Sequence, residues 1–119
     1  MRSYLVLVAV AISGCSTSIP LALAPDAAAR VTILGSPSRE CVIEPSDGAH
    51  RELQNWFAEN QLGWSQLYYT PPNGGILITA PGVRLHLSGS AAYATVSEGM
   101  LTKQVSETDY AFLTCEPGA

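Results

Sequence analysis

Apolar residues at helical spacing mark one segment near the middle of the chain. They recur every three or four positions, which places them on one side of an α-helix; they are Ala49, Leu53, Trp56 and Phe57. Ser46 or Asp47 offers an N-terminal cap, and Gly63 follows the last turn. The pattern predicts a helix with Trp56 and Phe57 packed in the core, while a ligand-stacking role for this pair is left open.

Strand-like patterns surround this helix. Val83–Ser88 alternates apolar and polar residues strictly, the period of a half-buried strand. Further β-rich segments, bounded by glycine and proline, cover residues 31–34, 40–44, 64–70, 76–79, 91–96 and 105–115, with a loop at 97–102. Short connections favour antiparallel pairing of neighbours. We expect an α+β fold: one helix on an antiparallel β-meander of about five strands, with a short N-terminal β segment joined to it by a disulfide.

The N-terminus has the features of an export signal. A basic start is followed by an apolar run from Tyr4 to Ile12, much shorter than the ~20 residues that span a bilayer. The next residues, Ile12-Ser13-Gly14-Cys15, resemble the lipobox of bacterial lipoproteins. The resemblance implies removal of residues 1–14 and attachment of several acyl chains to Cys15. An ordinary signal peptide, cut near Ala24 or Ala29, remains the alternative.

The resemblance also bears on location. In Gram-negative lipoproteins an Asp after the lipidated cysteine typically means retention in the inner membrane, whereas this chain has Ser16. We therefore expect the periplasmic face of the outer membrane. Residues 15–29 are rich in small residues and contain two prolines, which predicts a flexible lipidated tether. The single folded domain is then expected over residues 30–119.

The chain has three cysteines. If Cys15 carries lipid, Cys41 and Cys115 remain, and an exported protein sits where disulfides persist. Their bridge would restrict the unfolded chain by ~4.5 kcal/mol in the chain-entropy model. We expect a structural disulfide rather than a redox or metal pair, because the two cysteines are far apart and no histidine lies beside either.

The charge balance disfavours one class of partner. The formal net charge is −4 and becomes more negative without the signal peptide, which contains Arg2. No basic cluster is present, so nucleic-acid binding is not expected.

Catalytic and metal-binding motifs are not found in the sequence. The two histidines, His50 and His86, lie in no hydrolase or metal-ligand pattern. Glu107 and Asp109 alternate in the segment expected to be the last strand; they are a weak carboxylate pair or simply a solvated edge. We expect a non-enzymatic protein without metal or cofactor.

A working surface is predicted around an aromatic pair. Tyr68 and Tyr69 should point to opposite faces of a strand, so that one is exposed or covered by a partner. A glycine-rich loop with Asn73 follows, and Arg84 and His86 lie on the polar face of a strand one hairpin away. The alternatives are two packed tyrosines and an ordinary polar face.

These features favour a lipid-anchored module that binds another envelope protein, such as an immunity protein or an inhibitor of an envelope hydrolase. An accessory that supports the structure or assembly of an envelope complex is the alternative. A small-ligand binder or an enzyme is the least favoured class.

Overall fold

A computed structural model describes residues 17–97 and 99–115. Within these residues there are one α-helix and one seven-stranded sheet in which every neighbouring pair is antiparallel. The strands are β1 (Ala29–Ile33), β2 (Arg39–Ile43), β3 (Ser65–Gln66), β4 (Ile76–Ala80), β5 (Val83–Ser88), β6 (Ala91–Val96) and β7 (Gly99–Gln104), and the helix is α1 (Gly48–Glu59). The order across the sheet is β2-β1-β4-β5-β6-β7-β3, and a 3₁₀ turn, Glu107–Tyr110, follows β7.

One face of the sheet, the inner face, forms the core with α1. Successive strands align apolar side chains in a row across it, because each residue pairs with one that points to the same side. This row contains Val31, Ile78, Leu85 and Ala94, each almost fully buried. From α1, the residues Leu53, Trp56 and Phe57 join the same cluster. The α+β class and the core role of Trp56 and Phe57 are thus confirmed.

The helix begins after Asp47, as the pattern predicts, but the carboxylate of Asp47 does not cap it. It accepts a hydrogen bond from the backbone N–H of Glu44 at 2.8 Å instead. The helix ends before Asn60, whose N–H bonds to the carbonyl of Phe57. Gly63 comes later, with a positive φ of 88°, in the connection to β3.

The predicted strand pattern was wrong in three places. The sheet has seven strands, not about five. Residues 97–102, expected as a loop, contribute most of β7, whereas 105–115 contain the 3₁₀ turn and no strand. The expected strand 64–70 is reduced to the two residues of β3.

The N-terminal segment, residues 17–28, packs on the domain instead of forming the predicted tether. Its alternating apolar residues Ile19, Leu21 and Leu23 are buried in the core. Three side chains near or within α1 donate hydrogen bonds to its carbonyl oxygens: Gln61 to Leu21 at 2.8 Å, Gln54 to Leu23 at 3.0 Å and His50 to Ala27 at 2.6 Å. The folded domain therefore begins well before residue 30.

The disulfide between Cys41 and Cys115 is confirmed, with the two Cα atoms 5.6 Å apart. Cys41 lies in β2, while Cys115 follows the 3₁₀ turn rather than ending a strand. The bond therefore joins the edge of the sheet to the segment after the last strand. The expectation of a separate N-terminal β segment joined by the disulfide is wrong, because β1 and β2 are hydrogen-bonded members of the same sheet. The lipobox, Cys15 and Ser16 lie outside the described residues.

Candidate functional site

The connection from β3 to β4, residues 67–75, crosses the face of the sheet opposite to α1, here called the outer face. It must cross the sheet because β3 lies at one edge and β4 is the third strand from the other edge. It leaves β3 with the N–H of Leu67 bonded to the carbonyl of Met100, and it ends with the carbonyl of Gly75 accepting from the N–H of Leu34. The predicted aromatic pair and loop are thus held against the sheet.

Tyr93 of β6 is the support on which this connection rests. It points to the outer face, aligned with His86 on β5 and Thr102 on β7, yet it is only 4% exposed. The ring of Tyr69 meets it edge-on at a centroid distance of 6.3 Å, and the ring of His86 lies 5.5 Å away. Sequence reasoning did not single out Tyr93, although its partners and its period-two position on β6 place it beside His86.

The environment of Tyr93 affects its acidity. Burial raises the pKa of Tyr93 above its ordinary value of 10.0, and a hydrogen bond and charge repulsion from the Tyr69 hydroxyl raise it further. The phenol is therefore neutral at physiological pH, as a packed and hydrogen-bonded side chain requires. Tyr93 thus serves as support for the surface.

His86 fixes the far end of the connection. Its Nε2 lies 2.6 Å from the carbonyl oxygen of Gly74, which can only accept, so Nε2 donates the hydrogen bond. The ring is half-buried. His86 therefore positions the loop, and its Nε2 is engaged within the protein.

Gly75 sets how closely the loop approaches the sheet. Its φ is +111°, and a Cβ there would lie well inside contact distance of the Leu87 carbonyl oxygen and 3.0 Å from Cβ of Ser88. Only glycine fits this position without displacing backbone. The loop is therefore anchored at Tyr69, Gly74 and Gly75.

The structure connects Tyr69, His86 and the loop through Tyr93 and Gly74, and it corrects one expectation. Tyr68 and Tyr69 do not split between two faces, because they lie beyond the two-residue β3; both are exposed, at 85% and 60%. Asn73 and Arg84 are exposed as well. We call Tyr68, Tyr69, Asn73, Arg84 and His86 the tyrosine surface.

The carboxylate pair considered for catalysis has a different setting from the predicted strand. Glu107 and Asp109 both lie in the 3₁₀ turn and are exposed. Asp109 shares a shallow pocket of about 240 Å³ with Glu52 and Glu59 of α1. Across residues 17–97 and 99–115, no three metal-ligating side chains are placed to hold an ion.

His50, the other histidine, is buried in the first turn of α1, with Nε2 bonded to the carbonyl of Ala27. It therefore holds the N-terminal segment in place. In the described part of the chain, no helix is long and apolar enough to cross a membrane.

Comparison with known proteins gives no relative. Neither family models nor curated proteins nor solved structures include a match to this chain.

Proposed function

We propose that this protein is a bacterial lipoprotein, anchored through acyl chains on Cys15 in the cell envelope, whose tyrosine surface binds another envelope protein. The compartment proposed is the periplasmic face of the outer membrane. The proposal for anchoring rests on the lipobox and Ser16. The proposal for binding rests on one observation, an exposed tyrosine pair in which Tyr69 rests on the buried ring of Tyr93.

The fixed base is what separates this surface from an ordinary mobile loop. Tyrosine supplies a large apolar area and a hydroxyl with little conformational entropy to lose, and such residues are enriched among binding hot spots. Here Tyr69 rests on buried Tyr93, and the loop after it is held by His86 and Gly75. A partner would therefore meet a surface that is already ordered, which lowers the entropic cost of binding.

Charge suggests the kind of partner. The chain has ten acidic and six basic residues, so electrostatic steering favours a partner with a basic surface. An immunity protein or an inhibitor of a basic envelope hydrolase fits this requirement.

The anchoring half is tested by Cys15→Ser. We expect the variant to leave the membrane fraction or to stay unprocessed, and mass spectrometry should find acyl chains only on the wild type. A mature Cys15→Ser protein that still fractionates with membranes would contradict this half.

The binding half is tested by capture from envelope extract, followed by affinity measurements with the purified prey. A hydrolase as prey supports inhibition, whereas a secretion or cell-wall complex supports an assembly role instead. Tyr68→Ala should weaken binding roughly 30-fold, the effect of a hot spot worth about 2 kcal/mol, without loss of thermal stability. Leu62→Ala is the matched control, because Leu62 is also exposed, at 70%, but lies outside the tyrosine surface.

Tyr69→Ala should lower both affinity and stability, since it also uncovers Tyr93. If neither tyrosine variant changes affinity in a folded protein, the binding surface lies elsewhere and this proposal is wrong.

A further inference from the structure

A cleft of about 970 Å³ opens between the N-terminal segment and the ends of β5, β6 and β7. Its size is at the upper end of the ~300–1,000 Å³ typical of small-molecule sites. It lies at the inner face, away from Tyr93, and meets the tyrosine surface only at Arg84 on its rim. It is therefore a separate concave feature of the molecule.

The lining of the cleft suits an amphiphile. Apolar side chains come from the N-terminal segment and from the inner face, among them Ile19, Leu21, Val83, Leu85 and Leu101. Arg84 also lines the cleft and is exposed to solvent. Polar residues such as Thr17, Ser18 and Gln66 complete the lining. A mixed lining with a cation at its rim matches a hydrocarbon chain that ends in a polar or anionic group.

The cleft is lined by residues that follow the proposed lipidation site closely in the sequence. Thr17 and Ser18 are part of its lining, and Thr17 is fixed by paired backbone hydrogen bonds with Trp64, at 2.6 and 3.0 Å. Cys15 is two residues before Thr17, and two residues of extended chain span at most ~7 Å. A lipid attached at Cys15 is therefore within reach of the cleft mouth.

We propose that the cleft binds one fatty-acyl chain of the lipid carried on Cys15; this rests on the lipidation proposed above. Covalent attachment through so short a connection gives the chain a local concentration in the millimolar range, so the cleft competes with the bilayer for this chain. The bound chain is withdrawn from the bilayer. Since stable anchoring needs more than one chain, occupancy of the cleft weakens the membrane anchor.

The capacity of the cleft is tested first without the attached lipid. Full-length mature protein with Cys15→Ser is titrated with a fluorescent C16 fatty acid below its micelle concentration. We expect saturable binding of one molecule, weakened at least tenfold by Val96→Trp, which fills the cleft from a half-buried lining position. Leu67→Trp is a second filling variant in case the first does not fold. Leu77→Trp, on the outer face, is the control and should bind like the unfilled protein.

Arg84→Gln should weaken binding of the fatty acid more than binding of the corresponding C16 alcohol, because only the acid carries a charge. Arg51→Gln, an exposed position on α1, is its control. If Cys15→Ser protein does not bind the fatty acid, or if the filling variants bind it unchanged, the cleft is not an acyl site.

The source of the chain is tested on the lipidated protein. Cells are grown with a photoreactive fatty acid, the protein is purified and irradiated, and crosslinked peptides are identified by mass. We expect the acylated N-terminal peptide joined to a peptide from residues 94–101, and loss of this product in the filling variants. Crosslinks to phospholipid only would overturn the proposal.

Absence of lipid on Cys15, seen in the same mass spectra, would refute lipidation separately from the acyl-binding result.

Discussion

Gly75 provides the sharpest test of how the tyrosine surface is held. Gly75→Ala places a methyl group against the Leu87 carbonyl in a backbone conformation of φ +111°. Holding an L-residue in such a conformation costs of order 1–3 kcal/mol, and overpacking against atoms that cannot rotate away adds about 1–3 kcal/mol. We expect a loss of about 2–6 kcal/mol, a large part of the ~5–15 kcal/mol stability of a typical domain.

The assay is equilibrium unfolding in urea together with thermal melting. For a domain near 100 residues each kcal/mol corresponds to roughly 4–8 °C, so the melting temperature should fall by about 10 °C or more. Gly74→Ala is the matched control, because a Cβ at Gly74 meets no atom within 4 Å. Its stability should change by less than about 1 kcal/mol. Equal stability of the two variants would refute the close approach of the loop to β5.

Three further predictions concern the rest of the domain. Reducing the Cys41–Cys115 bond should destabilise the protein by up to ~4.5 kcal/mol in urea unfolding, and a thiol dye should label neither cysteine in denatured, unreduced protein; labelling would contradict the pairing. Burial raises the pKa of Tyr93 and of Tyr110 above 10.0. The Tyr69 hydroxyl adds to the shift at Tyr93, and the charge of Glu107 adds to the shift at Tyr110. The neutral forms of Tyr93 and Tyr110 therefore contribute stability below about pH 10 that is lost as pH rises through the folded-state values. Tyrosinate absorbance should show this late ionisation. Tyr93→Phe should make the loss of stability above about pH 10 less steep, and an unchanged loss would contradict the raised pKa of Tyr93. His50→Ala should lower the free energy of unfolding by about 2–4 kcal/mol, because it empties a buried site and removes the hydrogen-bond partner of the Ala27 carbonyl. The control Arg51→Ala, at an exposed position, should lower it by less than about 0.5 kcal/mol. Equal effects of the two substitutions would argue against the packed N-terminal segment.

Regular periodicity was the most reliable guide to the fold. β5 and β6 occupy the predicted residues, and α1 begins where the pattern places it, because all three elements bury one face against a single core. β7 was missed because it contains Gly99, Thr102 and Lys103, which have no clear alternation, yet pairing with β6 and β3 supplies its hydrogen bonds.

The errors at the N-terminus and at the tyrosine pair have different causes. Ile19, Leu21 and Leu23 recur at every second position, but the proline and alanine between them give no apolar–polar alternation and are typical of a linker. The exposure of both Tyr68 and Tyr69, by contrast, follows from β3 ending at Gln66, which depends on long-range pairing that no local pattern contains.

The position of the disulfide affects the order of events during folding. Cys41 lies in the second strand, whereas Cys115 follows all seven strands. Because synthesis begins at the N-terminus, Cys41 becomes available long before Cys115. The sheet can be assembled before the bond closes, so the bond stabilises the folded sheet without directing its formation. Its removal should therefore accelerate unfolding while leaving the folding rate nearly unchanged, the behaviour of contacts formed after the transition state.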